Sequence, residues 1–269
     1  MKKEILEVQR HYDVNPQKEW DRLKIRHPYE KYITTRMMDR YVKPHHKILD
    51  IGGGPGHYAI YFSLKGNDVT LVDLSNENVK YAKKKAHQYK TKISACQGNA
   101  LDLSAFADNT FDIVFLMGPL YHLLDEEDRL NALKEAKRVL KTGGYLFASF
   151  ILMFGGVIFC LRDLRGAILD SGERRYFDTV LRNESLSFEG FTHSYMCTVK
   201  DAKGLLDKVK GFRTETVFSQ EGNLAPYLHL LANTPFKQRM AWYEFGYQIC
   251  DNENYLTHGE HLLIISSKL

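Results

Sequence analysis

Cysteine is scarce in this sequence, and its cysteines are scattered. Four occur among 269 residues, and none forms a Cys-x-x-Cys pair. A cysteine-based zinc site or redox pair is therefore not indicated, and sparse cysteine suits a reducing cytoplasm. The four positions are Cys96, Cys160, Cys197 and Cys250.

Long apolar runs are also lacking. The longest, residues 150–161, contains two glycines and is well short of the roughly 20 residues that span a bilayer. The first residues, MKKE, are charged and lack the apolar core of a signal peptide. We therefore expect a cytoplasmic protein that makes no membrane contact.

No long block of one charge sign is present either. The 37 basic and 33 acidic residues leave a net charge of +4, which is too small to predict a nucleic-acid partner without a concentrated patch. The densest basic run, residues 83–85, is typical of a solvated helix face. The sequence carries no indication of an oligomeric state.

Strand-like and helix-like segments alternate through the first half of the chain. The predicted helices are residues 57–65, 76–90 and 125–140, the last ended by Gly143-Gly144. This alternation predicts an α/β fold, a doubly wound, mostly parallel sheet. The predicted strands are residues 48–51, 68–73, 93–97, 111–117 and 145–151.

The remaining segments are predicted to be largely helical insertions around this core. Residues 1–44 form a helical arm, which either packs on the domain or covers a ligand. Residues 45–152 are the ligand-binding core, and residues 153–190 are a helical insertion. Residues 191–269 return to the sheet, with strands at 212–219 and 261–266 and a helical insertion at about 223–255; residues 192–198 form a short strand or a loop.

A glycine-rich turn follows the first strand and precedes a helix. It reads IGGGPGH over residues 51–57. A strand that turns tightly into a helix presents free backbone N–H groups and a positive dipole end to a ligand. Glycine allows the backbone to approach that ligand because no Cβ intervenes. The alternative is a glycine-rich turn that binds nothing.

Other polar and apolar residues are predicted to share a crevice with this turn, because ligands bind beyond the carboxyl ends of the strands. Asp73 ends the second strand and is placed to accept hydrogen bonds from both ribose hydroxyls of an adenosine, or else to cap a helix or form a turn. Leu74 and Met117 are candidates to enclose the adenine ring, and Asn99 and Ala100 to bind its edge.

Two ligands fit a ribose-binding acid beside a glycine loop, a dinucleotide and S-adenosylmethionine. The dinucleotide fingerprint requires Gly-x-Gly-x-x-Gly, whereas here Gly52 and Gly54 are followed by Gly56 and His57. Asp50, just before the loop, would repel a pyrophosphate but attract an ammonium or a sulfonium. The spacing therefore favours S-adenosylmethionine.

Several motifs together resemble class I S-adenosylmethionine-dependent methyltransferases. LDIGGGPG at residues 49–56 is similar to the family's glycine-rich signature, VDLS at 72–75 to its ribose-binding turn, and DIVF at 112–115 and LKTGGYL at 140–146 to its fourth and fifth strands. The resemblance covers residues 45–152 and implies a seven-stranded sheet with an antiparallel last strand.

The resemblance also implies how the donor is held. Asp50 and the loop glycines, Gly52, Gly53, Gly54 and Gly56, would hold the methionine end, Asp73 the ribose, and Asn99-Ala100 the adenine. Asn99 stands where the family often has an aspartate; an amide oxygen can still accept the adenine amino group's hydrogen bond.

The acceptor side is less defined. His122 and Tyr121 follow the fourth strand and are candidate bases, although His122 also suits a packing role. Aromatic and methionine-rich segments outside the core either form an apolar pocket for a small or medium organic acceptor or only pack the core. A metal site is not expected, even with His258 and His261 close together.

Three functions remain open on the sequence. A methyltransferase acting on a small molecule is the first. An NAD(P)-dependent oxidoreductase and a non-catalytic nucleotide-binding protein on the same fold are the alternatives. The intact glycine loop together with Asp73 argues against a site that has lost its ligand.

Overall fold

A computed structural model describes residues 2–189, 192–231 and 233–269. The boundary expected between residues 190 and 191 lies outside the described residues. Among the described residues, no helix is both long and apolar enough to cross a membrane.

One sheet organises the described part of the chain. Its first five strands are parallel, in the order β3-β2-β1-β4-β5. β9 then pairs antiparallel with β5, and β8 antiparallel with β9, so β8 runs parallel to β5. The strands are β1 (Lys47–Ile51), β2 (Asp68–Asp73), β3 (Ser94–Gln97), β4 (Phe111–Leu116), β5 (Leu140–Leu152), β6 (Leu186–Glu189), β7 (His193–Cys197), β8 (Phe212–Ser219) and β9 (His261–Lys268).

The α/β class and the antiparallel last strand expected from the sequence are confirmed. The expected count of seven strands is wrong, because the sheet contains nine within the described residues. The two extra strands, β6 and β7, form a hairpin whose second strand pairs with Ile151 and Leu152 at the end of β5. β7 is buried along its whole length, which is why this segment is a strand rather than an exposed loop.

Helices cover both faces of the sheet. They are α1 (Lys3–Val14), α2 (Pro16–Asp21), α3 (Pro28–Met38), α4 (His57–Leu64), α5 (Asn76–Gln88), α6 (Glu126–Val139), α7 (Met153–Asp163), α8 (Arg174–Arg182), α9 (Val199–Lys208) and α10 (Phe236–Ile249). A π-helical turn, Arg22–Arg26, joins α2 to α3. Short 3-10 segments occupy Pro119–Tyr121, Arg165–Leu169, Gly222–Leu231 and Glu253–His258.

Successive residues of each central strand enter different cores, as the two-residue period of a strand requires. Ile48 packs with α3, α4 and α5 on one face, and Leu49 packs with α6 and α9 on the other. Both side chains are fully buried. Apolar residues at consecutive positions therefore explain why these strands lie in the middle of the sheet.

The glycine pair Gly143-Gly144 does not end α6, contrary to expectation. The helix ends at Val139, and β5 begins at Leu140. Gly144 lies within the strand, where a Cβ would come within 2.7 Å of the Asp112 carbonyl oxygen. The glycine therefore permits a close strand contact rather than a helix stop.

The N-terminal arm divides into two parts. α3 belongs to the core, since Tyr29 and Ile33 are fully buried there. α1, α2 and the π-helical turn lie instead over the carboxyl edge of the parallel strands, where residues such as Val8 and Leu23 line a cavity. The arm thus packs on the core through α3 and lines the cavity through its earlier segments.

The contact of α3 with α10 generates a stability prediction. A Cβ at Gly246 would lie 1.4 Å from the Tyr29 hydroxyl oxygen, and the fully buried Tyr29 ring has no space into which to move. We expect Gly246→Ala to lower the free energy of unfolding by about 1–3 kcal/mol through overpacking, as measured by urea denaturation.

Gly204→Ala is the matched control. Gly204 lies inside α9, and a Cβ added there would have nothing within 4 Å. Alanine's higher helix propensity should there raise stability by about 0.5–1 kcal/mol. Equal effects of the two substitutions would contradict the α3–α10 packing.

Candidate active site

A cavity of about 530 Å³ lies at the carboxyl edge of β1, β2 and β4. Its walls come from the loops after these strands, from α1, α2 and the π-helical turn, from α7 and from the start of β9. Eleven of the twelve site residues expected from the sequence line it: Asp50, Gly52, Gly53, Gly54, Asp73, Leu74, Asn99, Ala100, Met117, Tyr121 and His122.

Gly56, the twelfth residue expected in the site, does not line the cavity. It has φ of +90° at the start of α4, and a Cβ there would come within 3.0 Å of the Ala82 Cβ on α5. Its role in the structure is therefore to permit the turn and the close packing of α4 on α5.

The glycine loop is compressed against its neighbours. A Cβ at Gly52, where φ is +72°, would lie 2.6 Å from the Pro119 side chain, and one at Gly53 would lie 2.7 Å from Asp50 Oδ2. Gly54 has φ of +55° but nothing within 4 Å of its Cβ position. Because Gly52 and Gly53 have no side chains, the loop can lie directly against Pro119 and Asp50.

Asp73 ties the loop to the second strand. Its carboxylate accepts hydrogen bonds from Gly54 N at 2.7 Å, Ser75 N at 2.9 Å and Asn78 Nδ2 at 3.2 Å. Ser75, rather than Asp73, caps α5, since the Ser75 hydroxyl oxygen accepts from Asn78 N. The helix-cap alternative for Asp73 is therefore wrong, whereas the turn alternative agrees with the bond from Ser75 N, two residues further along the chain.

Asp50 is the most unusual group in the cavity wall. It is 1% exposed, and its Oδ2 has no hydrogen-bond partner within the described residues. Burial, followed by the charge of Asp73, raises the pKa of Asp50 to about 7. An unpartnered buried carboxylate is costly, and a cationic group beside it would offset that cost.

Asn99 is held within its own turn. Its Oδ1 accepts a hydrogen bond from Leu101 N at 3.0 Å. The oxygen expected at the edge of a ring is thus already engaged, although an amide oxygen has a second lone pair.

His122 is held at both ring nitrogens. Nδ1 lies 3.0 Å from the His193 carbonyl oxygen, which can only accept, so Nδ1 carries the proton. Nε2 then accepts from the Tyr12 hydroxyl at 2.8 Å. Burial lowers the pKa of His122 to about 4. This histidine is a neutral ring that orients Tyr12, a poor arrangement for a free base.

Tyr121 stands beside His122 in the cavity wall. Burial raises the pKa of Tyr121 to about 12, so its hydroxyl stays protonated at neutral pH and is a hydrogen-bond donor. Its ring lies 4.9 Å from the His122 ring and 6.1 Å from the His261 ring, measured between centroids.

The N-terminal helices are fastened over the cavity. The Ser75 hydroxyl donates to Asp13 Oδ1 at 2.6 Å, which ties α1 to α5. His57 donates through Nε2 to the Trp20 carbonyl at 2.6 Å and stacks on the Trp20 ring at 4.0 Å, which ties α2 to α4. These contacts hold α1 and α2 against the helices that follow β1 and β2.

Four charged residues that the sequence did not predict as site residues form one cluster beside the cavity, here named the charged quartet: Arg22, Glu30, Glu221 and His261. Arg22 donates to Glu30 through Nη1 at 2.8 Å and Nη2 at 3.4 Å. His261 pairs through Nδ1 with Glu221 Oε1, and its backbone N–H donates to Glu221 Oε2 at 2.8 Å.

A signal for His261 was present in the sequence. An antiparallel strand begins at the edge where its parallel neighbours end, so the first residue of β9 enters the same crevice as the glycine loop. The register pairs His261 with Ile151 near the end of β5. Arg22 and Glu30 carried no comparable signal, because their position depends on how the arm folds back.

Comparison with known proteins identifies the central part of the chain. Residues 49–148 match the family described as Methyltransferase domain. An uncharacterized methyltransferase of Schizosaccharomyces pombe is 38% identical over 118 residues, which are 40% of this chain and 41% of that protein. The ubiquinone/menaquinone biosynthesis C-methyltransferase UbiE of Haemophilus ducreyi is 34% identical over 123 residues, 44% of this chain and 45% of that protein.

The match to these curated relatives spans less than half of their length. A fold likeness extends further. A putative methyltransferase solved in complex with the Haloferax volcanii Trm112 methyltransferase activator has a TM-score of 0.61 and 18% identity, with 97% of each chain covered. At this identity the likeness shows the fold alone.

The family expected from the sequence motifs is thus confirmed. The motif-bearing residues 49–148, the sheet order and the glycine loop beside Asp73 agree with one another. Residues 49–148 of this chain thus match a methyltransferase domain, as the sequence motifs predict.

Proposed function

We propose that this protein transfers the methyl group of S-adenosylmethionine, in line, to a small or medium organic acceptor. The supporting observation is a single covered cavity that contains both the donor-side residues and a separate set of polar and aromatic groups. Its volume of about 530 Å³ lies within the range of small-molecule pockets, roughly 300–1,000 Å³.

The donor side fits the cofactor. The buried Oδ2 of Asp50, which has no hydrogen-bond partner within the described residues, suits the cofactor's ammonium, and the close-packed glycines leave room for its methionine end. In this proposal Asp73 accepts from the ribose hydroxyls, and Leu74, Asn99, Ala100 and Met117 hold the adenine; all five residues line the cavity. The same Asp50 carboxylate would repel a pyrophosphate, which disfavours the NAD(P) alternative.

The chain's part in the reaction is positioning and exclusion of water. When bound, S-adenosylmethionine supplies a methyl group already activated by its sulfonium. The fastened helices α1 and α2 close the cavity, and the residues opposite the glycine loop orient the acceptor. A base is needed only for an acceptor that arrives protonated, and His122, with both nitrogens engaged, is better placed to orient Tyr12.

The proposed activity is tested by incubating the purified protein with methyl-labelled donor and a metabolite extract. We expect label in a small organic compound, detected by chromatography. Absence of transfer would favour a non-catalytic binding protein. Tight NAD(P) binding without S-adenosylmethionine binding, measured by calorimetry, would favour the oxidoreductase.

Asp73→Ala should weaken S-adenosylmethionine binding by roughly 1–3 kcal/mol, because charge-assisted hydrogen bonds are lost. Calorimetry on the folded variant measures the change. Asp68→Ala is the matched control, since Asp68 lies exposed at the opposite end of the same strand and should bind like the unaltered protein. Unchanged affinity in the folded Asp73 variant would contradict the ribose assignment.

Asp50 predicts a pH dependence. The pKa of Asp50 is 3.8 without burial and about 7 in the folded protein, so its ionisation destabilises the fold. This penalty is absent below pH 3.8, grows as the pH rises to about 7 and is complete above that. Asp50→Asn should therefore raise the melting temperature of the ligand-free protein at pH 8 and change it little near pH 4.

The ligand should show the complementary trend. An ammonium pairs with the ionised form of Asp50, so affinity for S-adenosylhomocysteine should fall when the pH is lowered from 8 to 6. Asp50→Asn should remove most of that dependence. An equal pH dependence in both proteins, measured by calorimetry, would contradict the ammonium assignment.

A further inference from the structure

In the charged quartet the two cations face the cavity, and the two carboxylates lie behind them in the protein interior. Arg22 and His261 line the cavity, whereas Glu30 and Glu221 do not. The side chains of the glutamates are 3% and 1% exposed, against 33% for Arg22 and 18% for His261. The quartet therefore presents its two cations, and not its two carboxylates, to the cavity.

The two ion pairs form one unit. Carboxylate oxygens of Glu30 and Glu221 and a ring nitrogen of His261 lie within 4.8 Å of one another. Glu30 and Glu221 come from segments about 190 residues apart in the chain, and each holds its own cation in place. Arg22 and His261 are thus fixed by buried partners, which is the preorganisation that ligand recognition requires.

His261 is charged at neutral pH. Burial by itself would lower the pKa of His261, but the charge and hydrogen bond of Glu221 and the charge of Glu30 raise it to about 9. Nδ1–H is donated to Glu221, so the second N–H, at Nε2, is left for a ligand. Nε2 has no hydrogen-bond partner within the described residues.

Arg22 also keeps donors in reserve. A guanidinium has five N–H groups, and Glu30 engages one on each of the two terminal nitrogens. The neighbouring carboxylate of Glu19 is 3.7 Å from Nε. The remaining donors and the Nε2–H of His261 suit the planar, two-oxygen geometry of an acidic group.

Other charges near the quartet are already paired. Arg162 donates through Nη1 to Glu260 at 2.8 Å and through Nε to Asp163 at 2.9 Å. Both Arg162 and Glu260 line the cavity. Arg162 is thus a cation in the same cavity that lies outside the quartet, and its substitution can be compared with substitutions in the quartet.

A metal site would need the same atoms. Glu30, Glu221 and His261 have ligand-like spacing, but Arg22 engages Glu30, and the Nδ1 of His261 engages Glu221. A metal ion would have to displace a guanidinium from a carboxylate that is 3% exposed. The donor arrangement thus favours an anion in front of the quartet over a cation within it.

We propose that Arg22 and His261 form an anion subsite for the methyl acceptor, so that the acceptor is an aromatic compound with an ionised carboxyl or phenol oxygen. This inference rests on the proposed function. The aromatic part follows from the side chains around the subsite: Tyr12, Tyr121 and Phe159 line the same cavity, and the Tyr121 ring lies 6.1 Å from the His261 ring.

The subsite is tested by binding to the protein loaded with S-adenosylhomocysteine, without turnover. The probes are benzoate, 4-nitrophenolate and the uncharged benzamide, titrated in a calorimeter at pH 8. At least one anion should bind ten times more tightly than benzamide. Which anion binds distinguishes a carboxylate from a phenolate acceptor, and equal binding of all three probes would overturn the subsite.

Variants assign the effect to residues. Arg22→Gln and His261→Gln should each weaken binding of the preferred anion by about tenfold to a hundredfold, the loss of a hydrogen bond to a charged group, and should leave benzamide unchanged. Arg162→Gln, which alters a cavity cation outside the quartet, should bind the anion like the unaltered protein. A loss in Arg162→Gln equal to those in the quartet variants would overturn the assignment.

A single substitution leaves a buried glutamate without its partner and can unfold the protein. The double variant His261→Gln/Glu221→Gln removes both charges of one pair together and provides a folded alternative. It should lose anion binding as His261→Gln does. Retention of full anion affinity in this variant would overturn the role of His261.

Two further outcomes separate this inference from the proposed function. Anion probes that bind no better than benzamide, in a protein that binds S-adenosylhomocysteine and transfers label, would overturn the subsite alone. Absence of S-adenosylhomocysteine binding would overturn the proposed function. Tight Mn²⁺ or Zn²⁺ binding that is lost in Glu221→Gln would identify the quartet as a metal site and overturn the anion assignment.

Discussion

The hydrogen bond from the backbone N–H of Gly54 to the carboxylate of Asp73 is the contact on which the site depends. At 2.7 Å it joins the turn after β1 to the end of β2. The same carboxylate also binds Ser75 N and Asn78 Nδ2, so one side chain fixes a loop, a strand end and a helix start. The glycine loop is thereby held in a conformation that an unattached glycine-rich segment would not keep.

Charge in the cavity is arranged in two different ways. Asp50 is buried with no cation beside it and with no hydrogen-bond partner for its Oδ2 within the described residues, whereas Glu30 and Glu221 are buried with dedicated cations. An isolated buried charge is strained until a ligand neutralises it, but a paired one is satisfied in the ligand-free protein. The wall near the glycine loop therefore favours a positive ligand group, and the wall near β9 favours a negative one.

The fold could be predicted from the sequence where local pattern and global structure agree. Consecutive apolar residues such as Ile48 and Leu49 indicated central strands, and the Asp68–Asp73 segment is a strand with the expected bounds. The shared cavity of the glycine loop and Asp73 was equally predictable, because the positions of a glycine loop and an acid at the next strand end are set by strand order alone. The prediction that Gly143-Gly144 ends a helix was wrong, because glycine occurs at close contacts between strands as well as at helix ends.

The acceptor side was not accessible in the same way. Arg22, Glu30 and Glu221 meet only because the N-terminal arm and the segment after β8 fold onto one edge of the sheet. His122 lies where the sequence predicts a base, but the Tyr12 hydroxyl and the His193 carbonyl engage both of its ring nitrogens. No spacing in the sequence encodes these contacts, which arise from packing between distant segments.

The position of β9 has a consequence for how the site is assembled. β9 lies between β5 and β8, and its first residue, His261, is paired with Ile151, more than 100 residues earlier in the chain. Pairings over such separations carry the largest loop-closure entropy and contribute to slow folding. The glycine loop and Asp73 are close in sequence and can meet early, whereas the charged wall forms only when the sheet is closed by its antiparallel strand. The two halves of the cavity thus differ in the range of the contacts that create them as well as in their charge.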